Sequence, residues 1–199
     1  MSGDVLELLR TAGGYISGEK MAERLGVTRA AVWKKIAALR DAGYDISSAP
    51  RSGYVLRSAP DRLIEAEIAQ ELDTQFIGRK IIAYDAVGST NLVLKDLARE
   101  GAEDGTVVVA DSQGTGRGRM ERAFFSPPGK GIWVSILLRP TFLPQDAPKC
   151  TLMAAVAVAR AMERFGLRAA IKWPNDILHD GRKLVGILTE MSAEMDRVN

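Results

Sequence analysis

Residues 113–122 of this 199-residue chain read Gln-Gly-Thr-Gly-Arg-Gly-Arg-Met-Glu-Arg. Gly114, Gly116 and Gly118 let backbone amides approach an anion closely. Arg117, Arg119 and Arg122 add guanidinium groups that stay charged and can fork onto carboxylate or phosphate. A long flexible loop of this composition suits a ligand that is covered after it binds. It is not a P-loop, because no Gly-Lys-Ser/Thr follows, and it leads to a strand where a dinucleotide fingerprint opens a helix. A solvated loop or a nucleic-acid contact remains the competing reading of this segment alone. Lys172-Trp173-Pro174-Asn175-Asp176 closes a strand with a rigid polar turn, which alone reads more readily as structural. Lys183 stands at the head of the apolar run Leu184-Val185-Gly186-Ile187-Leu188, where it can enter a pocket as a point charge. Ser89-Thr90-Asn91 opens a helix, either to offer amides to a polar ligand group or simply to cap it.

These segments need a scaffold, and the pattern supplies an α/β one. Ile81–Tyr84, Thr106–Ala110, Ile132–Leu138, Ala169–Trp173, Ile177–His179 and Lys183–Glu190 read as strands. Asp180–Gly181 is a two-residue hairpin signal. A helix is expected over 62–73 and a long alanine-rich one over Ala147–Phe165, with helices on one face of the sheet. Ahead of them, residues 4–57 follow a different plan. Val5, Leu6, Leu8 and Leu9 mark a short helix. Ser17 caps a second helix through Leu25 that Gly26 ends, and Thr28 caps a third that Gly43 closes. Val32, Ile36 and Leu39 share one face of the third. Asp45–Ser47 and Tyr54–Arg57 flank a Pro50–Arg51–Ser52–Gly53 turn. Three helices and a hairpin make a winged helix-turn-helix. Arg29, Lys34, Lys35 and Arg40 supply basic charge. Thr28, Ala30, Ala31 and Trp33 can approach base edges, and Arg51 in the wing can reach an adjacent groove or backbone. Such a module also serves protein interaction, with its lysines as a solvated face. The expected division is 1–58, a linker at 59–67, and a second domain over 68–199.

Composition excludes several classes. At 46% hydrophobic and 26% charged, the chain is neither disordered nor fibrous, and a net charge of +2 says little without local clusters. Cys150 has no cysteine partner, and with His179 the only histidine no Cys/His metal site is available. Met1 leads into Ser-Gly-Asp, not a signal peptide, and no apolar run spans a bilayer. No membrane role and a cytoplasmic setting are the expectation.

Taken in order, Ser89-Thr90-Asn91, Gln113 with Gly116-Arg117-Gly118-Arg119, Lys172-Trp173-Pro174-Asn175-Asp176 and Lys183-Leu184-Val185-Gly186-Ile187-Leu188 resemble the biotin protein ligase family over residues 80–190. The N-terminal unit resembles that of its bifunctional members, which also repress biotin genes. The resemblance implies a mixed-sheet biotin/lipoate ligase-type catalytic domain. It implies ATP and Mg2+, with biotin as substrate, activation of biotin to biotinyl-5′-AMP, and transfer to a lysine of a biotin carboxyl carrier domain. It also implies operator DNA as a partner and a homodimer when ligand is bound. By position, Ser89, Thr90, Asn91 and Gln113 would bind the polar ring of biotin. Arg117, Gly118 and Arg119 would close over it. Lys183, with Arg119 the catalytic pair, would hold carboxylate and phosphate oxygens, and Asn175 and Asp176 would support the nucleotide. A ligand-sensing repressor without catalysis is the alternative, and a lipoate ligase is a third. Glu121 departs from the family's glycine and Phe124 from its common tryptophan. The chain stops at Asp196-Arg197-Val198-Asn199, before the family's Gly-rich strand and small C-terminal β-domain, so an incomplete catalytic domain with exposed sheet surface is expected.

Overall fold

A computed structural model describes residues 5–70, 72–194 and 197–198. The readings placed on Met1–Asp4, Asp196 and Asn199, and Glu71 within the expected 62–73 helix, lie outside the described residues. The chain divides into two compact units, residues 1–61 and 62–199.

In the first unit α1 (Val5–Thr11), α2 (Gly18–Leu25) and α3 (Arg29–Asp41) precede a hairpin of β1 (Asp45–Ala49) and β2 (Gly53–Ser58). The caps form as read. Ser17 accepts from the Lys20 amide and Thr28 from the Ala31 amide, while Gly26 takes a left-handed φ of 64°. Each satisfies backbone groups that a helix end leaves unpaired. Val5, Leu6, Leu9, Met21, Val32, Ile36, Tyr44 and Ile46 form the buried core. Gly53 is obligatory. Its φ is 100°, and a Cβ there would lie 2.2 Å from the Ile16 carbonyl oxygen, where Ile16 and Tyr54 exchange two backbone hydrogen bonds.

In the second unit α4 (Glu65–Gln70) is shorter than the expected 62–73 helix. Leu63 and Ile68 supply its anchorage, packing on Ile81, Val107 and Val109. Strands β3 (Ile81–Tyr84), β4 (Val107–Ala110) and β5 (Trp133–Ile136) form a mixed sheet, β3 parallel and β5 antiparallel to central β4. β4 is buried along its whole length, as an unbroken Val-Val-Val-Ala run requires. Val107 and Val109 meet the Leu63–Ile68 segment, and Val108 meets Leu94 and Leu137 on the side of α5 (Thr90–Arg99). The expectation of helices on one face is therefore corrected: both faces of this sheet carry one. β5 alternates, burying Ser135 and Leu137 and turning Ile132, Val134 and Ile136 to solvent.

α6 (Pro148–Arg164) packs on a second sheet, β6 (Ala170–Lys172), β7 (Asp176–His179) and β8 (Arg182–Gly186), all antiparallel and separate from the first. The reading of one sheet is corrected to two. The hairpin falls at Asp180–Gly181, both at positive φ. β8 ends at Gly186, four residues short of the expected Glu190, because it begins a segment held instead by Ile187, whose amide donates to the Asn175 carbonyl. Short β9 (Ala193–Glu194) and β10 (Arg197–Val198) pair with each other. Among the described residues no helix is long and apolar enough to cross a membrane.

Candidate functional site

Lys183 lies on β8 opposite Leu178, and a register shift in the β7–β8 pairing falls beside it. Its Nζ is 2.7 Å from Asp176 Oδ1 on β7. That carboxylate oxygen is buried and makes no aligned hydrogen bond. The ammonium also sits 5.5 Å from the centroid of the Phe124 ring, a cation–π distance. Gly186 makes this posture feasible, because a Cβ there would come within 2.9 Å of Lys183 Cε and 3.0 Å of Nζ. Lys183 thus folds back over a glycine of its own strand toward Asp176 and Phe124.

The arginine loop arrives at the same place. Arg119 Nη1 donates to Asn175 Oδ1 at 3.1 Å, and Asn175 Nδ2 donates to the Ile187 carbonyl at 3.1 Å. The loop is pinned internally as well. Phe124 N donates to Gly116 O, Gly118 N to Arg122 O, and Arg117 bridges Ala123. Gly116 has no room for a side chain, since a Cβ would lie 2.5 Å from the Phe124 carbonyl oxygen. Inside the loop Arg119–Glu121 form a single 3-10 turn with Met120 and Glu121 both at φ 57°. Glu121 therefore stands at a left-handed position, the reason a glycine suits it. Arg117 remains exposed. Lys183, Asp176, Asn175 and Arg119 are thus brought together.

A second polar group forms at the mouth of α5. Gln113 Oε1 accepts from the Thr90 amide at 2.9 Å and from the Thr90 hydroxyl at 3.1 Å, while Gln113 Nε2 donates to Ser126. Buried Ser135 reaches both Thr90 Oγ1, at 2.8 Å, and Asn91 Oδ1. Ser89 is buried at the N-cap, but its side chain makes no capping bond. An open cavity of about 630 Å³ borders Gln113, lined by Val87, Gly88, Phe125 and Pro127 among others. The sequence reading gave no role to Ser135, to the missing side chain of Gly186 or to the ring of Phe124. A serine in an otherwise apolar strand was the one signal for Ser135. Burial pushes the Cys150 thiol above its ordinary value, which favours its protonated form.

On the first unit Arg29, Ala30, Trp33 and Lys34 line the exposed side of α3, with Trp33 61% exposed. Thr28 caps that helix, Lys35 is exposed beside them, and Arg51 sits at the wing tip with φ 65°. Arg40, expected among the basic groups around α3, is instead spent on structure. Its Nε and Nη2 both donate to the Ile46 carbonyl, tying α3 to β1.

The second unit matches the biotin/lipoate A/B protein ligase family over residues 84–197, and the first matches an HTH domain over residues 3–55. The chain is 48% identical over 197 residues to the bifunctional ligase/repressor BirA of Bacillus subtilis (strain 168), covering 98% of this chain and 61% of that protein. It is 34% identical over 183 residues to BirA of Escherichia coli (strain K12), covering 92% of this chain and 56% of that protein. The chain thus spans roughly three fifths of the length of these relatives. Among solved structures, a biotin protein ligase from Aquifex aeolicus in complex with biotin and ATP is similar with a TM-score of 0.50 at 31% identity. That likeness covers 60% of this chain and 49% of that one.

Proposed function

Because this chain belongs to the biotin/lipoate A/B protein ligase family, we propose that it activates biotin with ATP to biotinyl-5′-AMP and passes the biotinyl group to a lysine of a carboxyl carrier domain. The observation that carries this reading is the meeting of Lys183 and Arg119 around the Asn175–Asp176 turn. Activation must bring a carboxylate to a phosphate, and two anions repel. Cations held in place before the reactants arrive offset that repulsion and need not reorganise as charge builds on the phosphate. In this reading Lys183 exchanges Asp176 for the reacting oxygens, and Arg117 and Arg119 close with Gly118 over the adenylate. Ser89, Thr90, Asn91 and Gln113 take the polar ring. No covalent enzyme intermediate is needed, in keeping with a protonated Cys150.

The residues suit Mg2+ that arrives with a nucleotide. Among the described residues no cluster of three or more metal-binding side chains forms. Asp176 offers one carboxylate with a buried oxygen, and Mg2+ is commonly held by one or two carboxylates plus substrate phosphates. Bound there, it would neutralise phosphate charge.

The first unit adds operator DNA as a partner, with Trp33 and Ala30 toward base edges and Arg29, Lys34, Lys35 and Arg51 toward phosphates. A ligand-dependent homodimer presenting two such units to two half-sites, in the cytoplasm, completes the reading. Titration of the protein with biotin in the presence of ATP and Mg2+ tests it: saturable binding that lipoate does not displace is expected. Preference for lipoate, or no binding of either, contradicts it.

A further inference from the structure

Glu190 lies beyond β8 and reaches across to α5. Its Oε2 accepts from Asn91 Nδ2 at 2.9 Å and its Oε1 from Lys95 Nζ at 3.3 Å, two donors one helical turn apart. The Glu190 side chain is about two-thirds buried, at 32% exposure. On its other side, Asn91 Oδ1 accepts from Ser135. A hydrogen-bonded chain therefore runs Glu190, Asn91, Ser135, Thr90, Gln113, and ends beside the cavity.

The direction of that chain is a matter of counting protons. An ionised carboxylate only accepts, so it forces the amide nitrogen of Asn91 toward itself and the amide oxygen toward Ser135. At the other end Gln113 is fixed too. Its nitrogen donates to Ser126, whose hydroxyl donates to the Phe124 carbonyl, so its oxygen faces Thr90. Two acceptors thus terminate the chain, and the hydroxyls of Ser135 and Thr90 supply two protons for three contacts. Commitment of the Ser135 proton to Asn91 leaves Thr90 Oγ1 with accepting capacity. Without an obligate acceptor at position 190, the Asn91 amide can turn over and donate to Ser135, whose own proton then turns to Thr90 Oγ1 and takes up that accepting capacity, while the Thr90 hydroxyl still donates to Gln113.

We propose that Glu190 is a positioning residue for the polar-ring end of the ligand site, setting the orientation of Asn91 and through it the hydrogen-bond polarity of Ser135 and Thr90. The proposal rests on the biotin-ligase reading for the identity of the ligand, and not for the orientation of Asn91. It is tested on the whole chain with Glu190→Ala, Glu190→Gln and Lys95→Met. The Asn91 side-chain amide protons, followed by NMR without ligand, should exchange slowly in the wild type and in Lys95→Met. They should exchange fast in Glu190→Ala. In the isosteric Glu190→Gln, which keeps the packing, they should split between two orientations. Titration should show biotin binding weakened about tenfold in Glu190→Ala, the scale of one hydrogen bond lost to the ligand when Thr90 Oγ1 accepts from Ser135 instead. KM for ATP should be unchanged, and Lys95→Met should lose less than twofold. Identical Asn91 signals in wild type and both Glu190 variants overturn the proposal. So does biotin binding by Glu190→Ala within twofold of a wild type that binds it, or equal damage from Lys95→Met. A wild type that binds no biotin contradicts the functional reading, while the ligand-free amide signals still decide whether Glu190 orients Asn91.

Discussion

Lys183 and Gly186 illustrate how a single residue's chemistry depends on what its neighbour lacks. The lysine is half exposed and paired with one carboxylate, so the pair itself adds little to stability; its value lies in where the charge is held. Gly186→Ala places a methyl against Lys183 Cε, and adenylate formation should fall roughly tenfold, the cost of a misplaced charge-stabilising group. Thermal denaturation should change little. Activity equal to the wild type would show that the lysine does not need this posture. Glu121 is the opposite case. A side chain occupies a left-handed position at φ 57° beside three arginines. Glu121→Gly relieves a conformational cost of about 1 kcal/mol and removes a negative charge near the proposed anion site. Tighter binding of biotin with ATP is the expected result, and weaker binding would contradict it.

At the scale of elements, the first unit depends on a side chain that the sequence presents as a surface charge. Arg40 holds β1 through two hydrogen bonds to one carbonyl. Arg40→Ala should cost about 1 kcal/mol, within the usual range for a hydrogen bond, read as a lower unfolding midpoint of the first unit. No shift would show that the wing holds without it. Helical periodicity and capping residues made the three helices, the hairpin and the Asp180–Gly181 turn legible, since each is specified within a few residues. The role of Arg40 was not, because its acceptor is a backbone carbonyl, and every residue carries one. The same limit explains the sheet. Strands β3 to β8 announce themselves by their apolar residues, but their division into β3-β4-β5 and β6-β7-β8 is set by long-range pairing. Val107, Val108 and Val109 read as buried, yet which helix covers each face depends on Leu63, Ile68 and Leu94. In the site, charged and glycine residues declared themselves by type. Ser135, a buried serine on β5, acquires its part only from the register that sets it beside Thr90 and Asn91.

At the scale of the molecule, the proposed function divides between the two units. The exposed side of α3 should contact phosphates through Arg29 and Lys34. Replacing either with alanine should weaken DNA binding about evenly across sequences and lower the salt slope by roughly one. Trp33→Ala should instead relax the preference for one sequence, and a uniform loss from Trp33→Ala would move that residue to the backbone-contacting set. In the second unit the central claim is that Lys183 and the arginine loop hold two negative reactants together. Biotin-dependent release of pyrophosphate from ATP measures this most directly, in the wild type and in Lys183→Met. The wild type should release pyrophosphate only when biotin is present, and Lys183→Met should be slowed by roughly 100-fold or more, as for loss of one preorganised charge-stabilising donor. Release that ignores biotin, or an equal rate from Lys183→Met, would contradict the account.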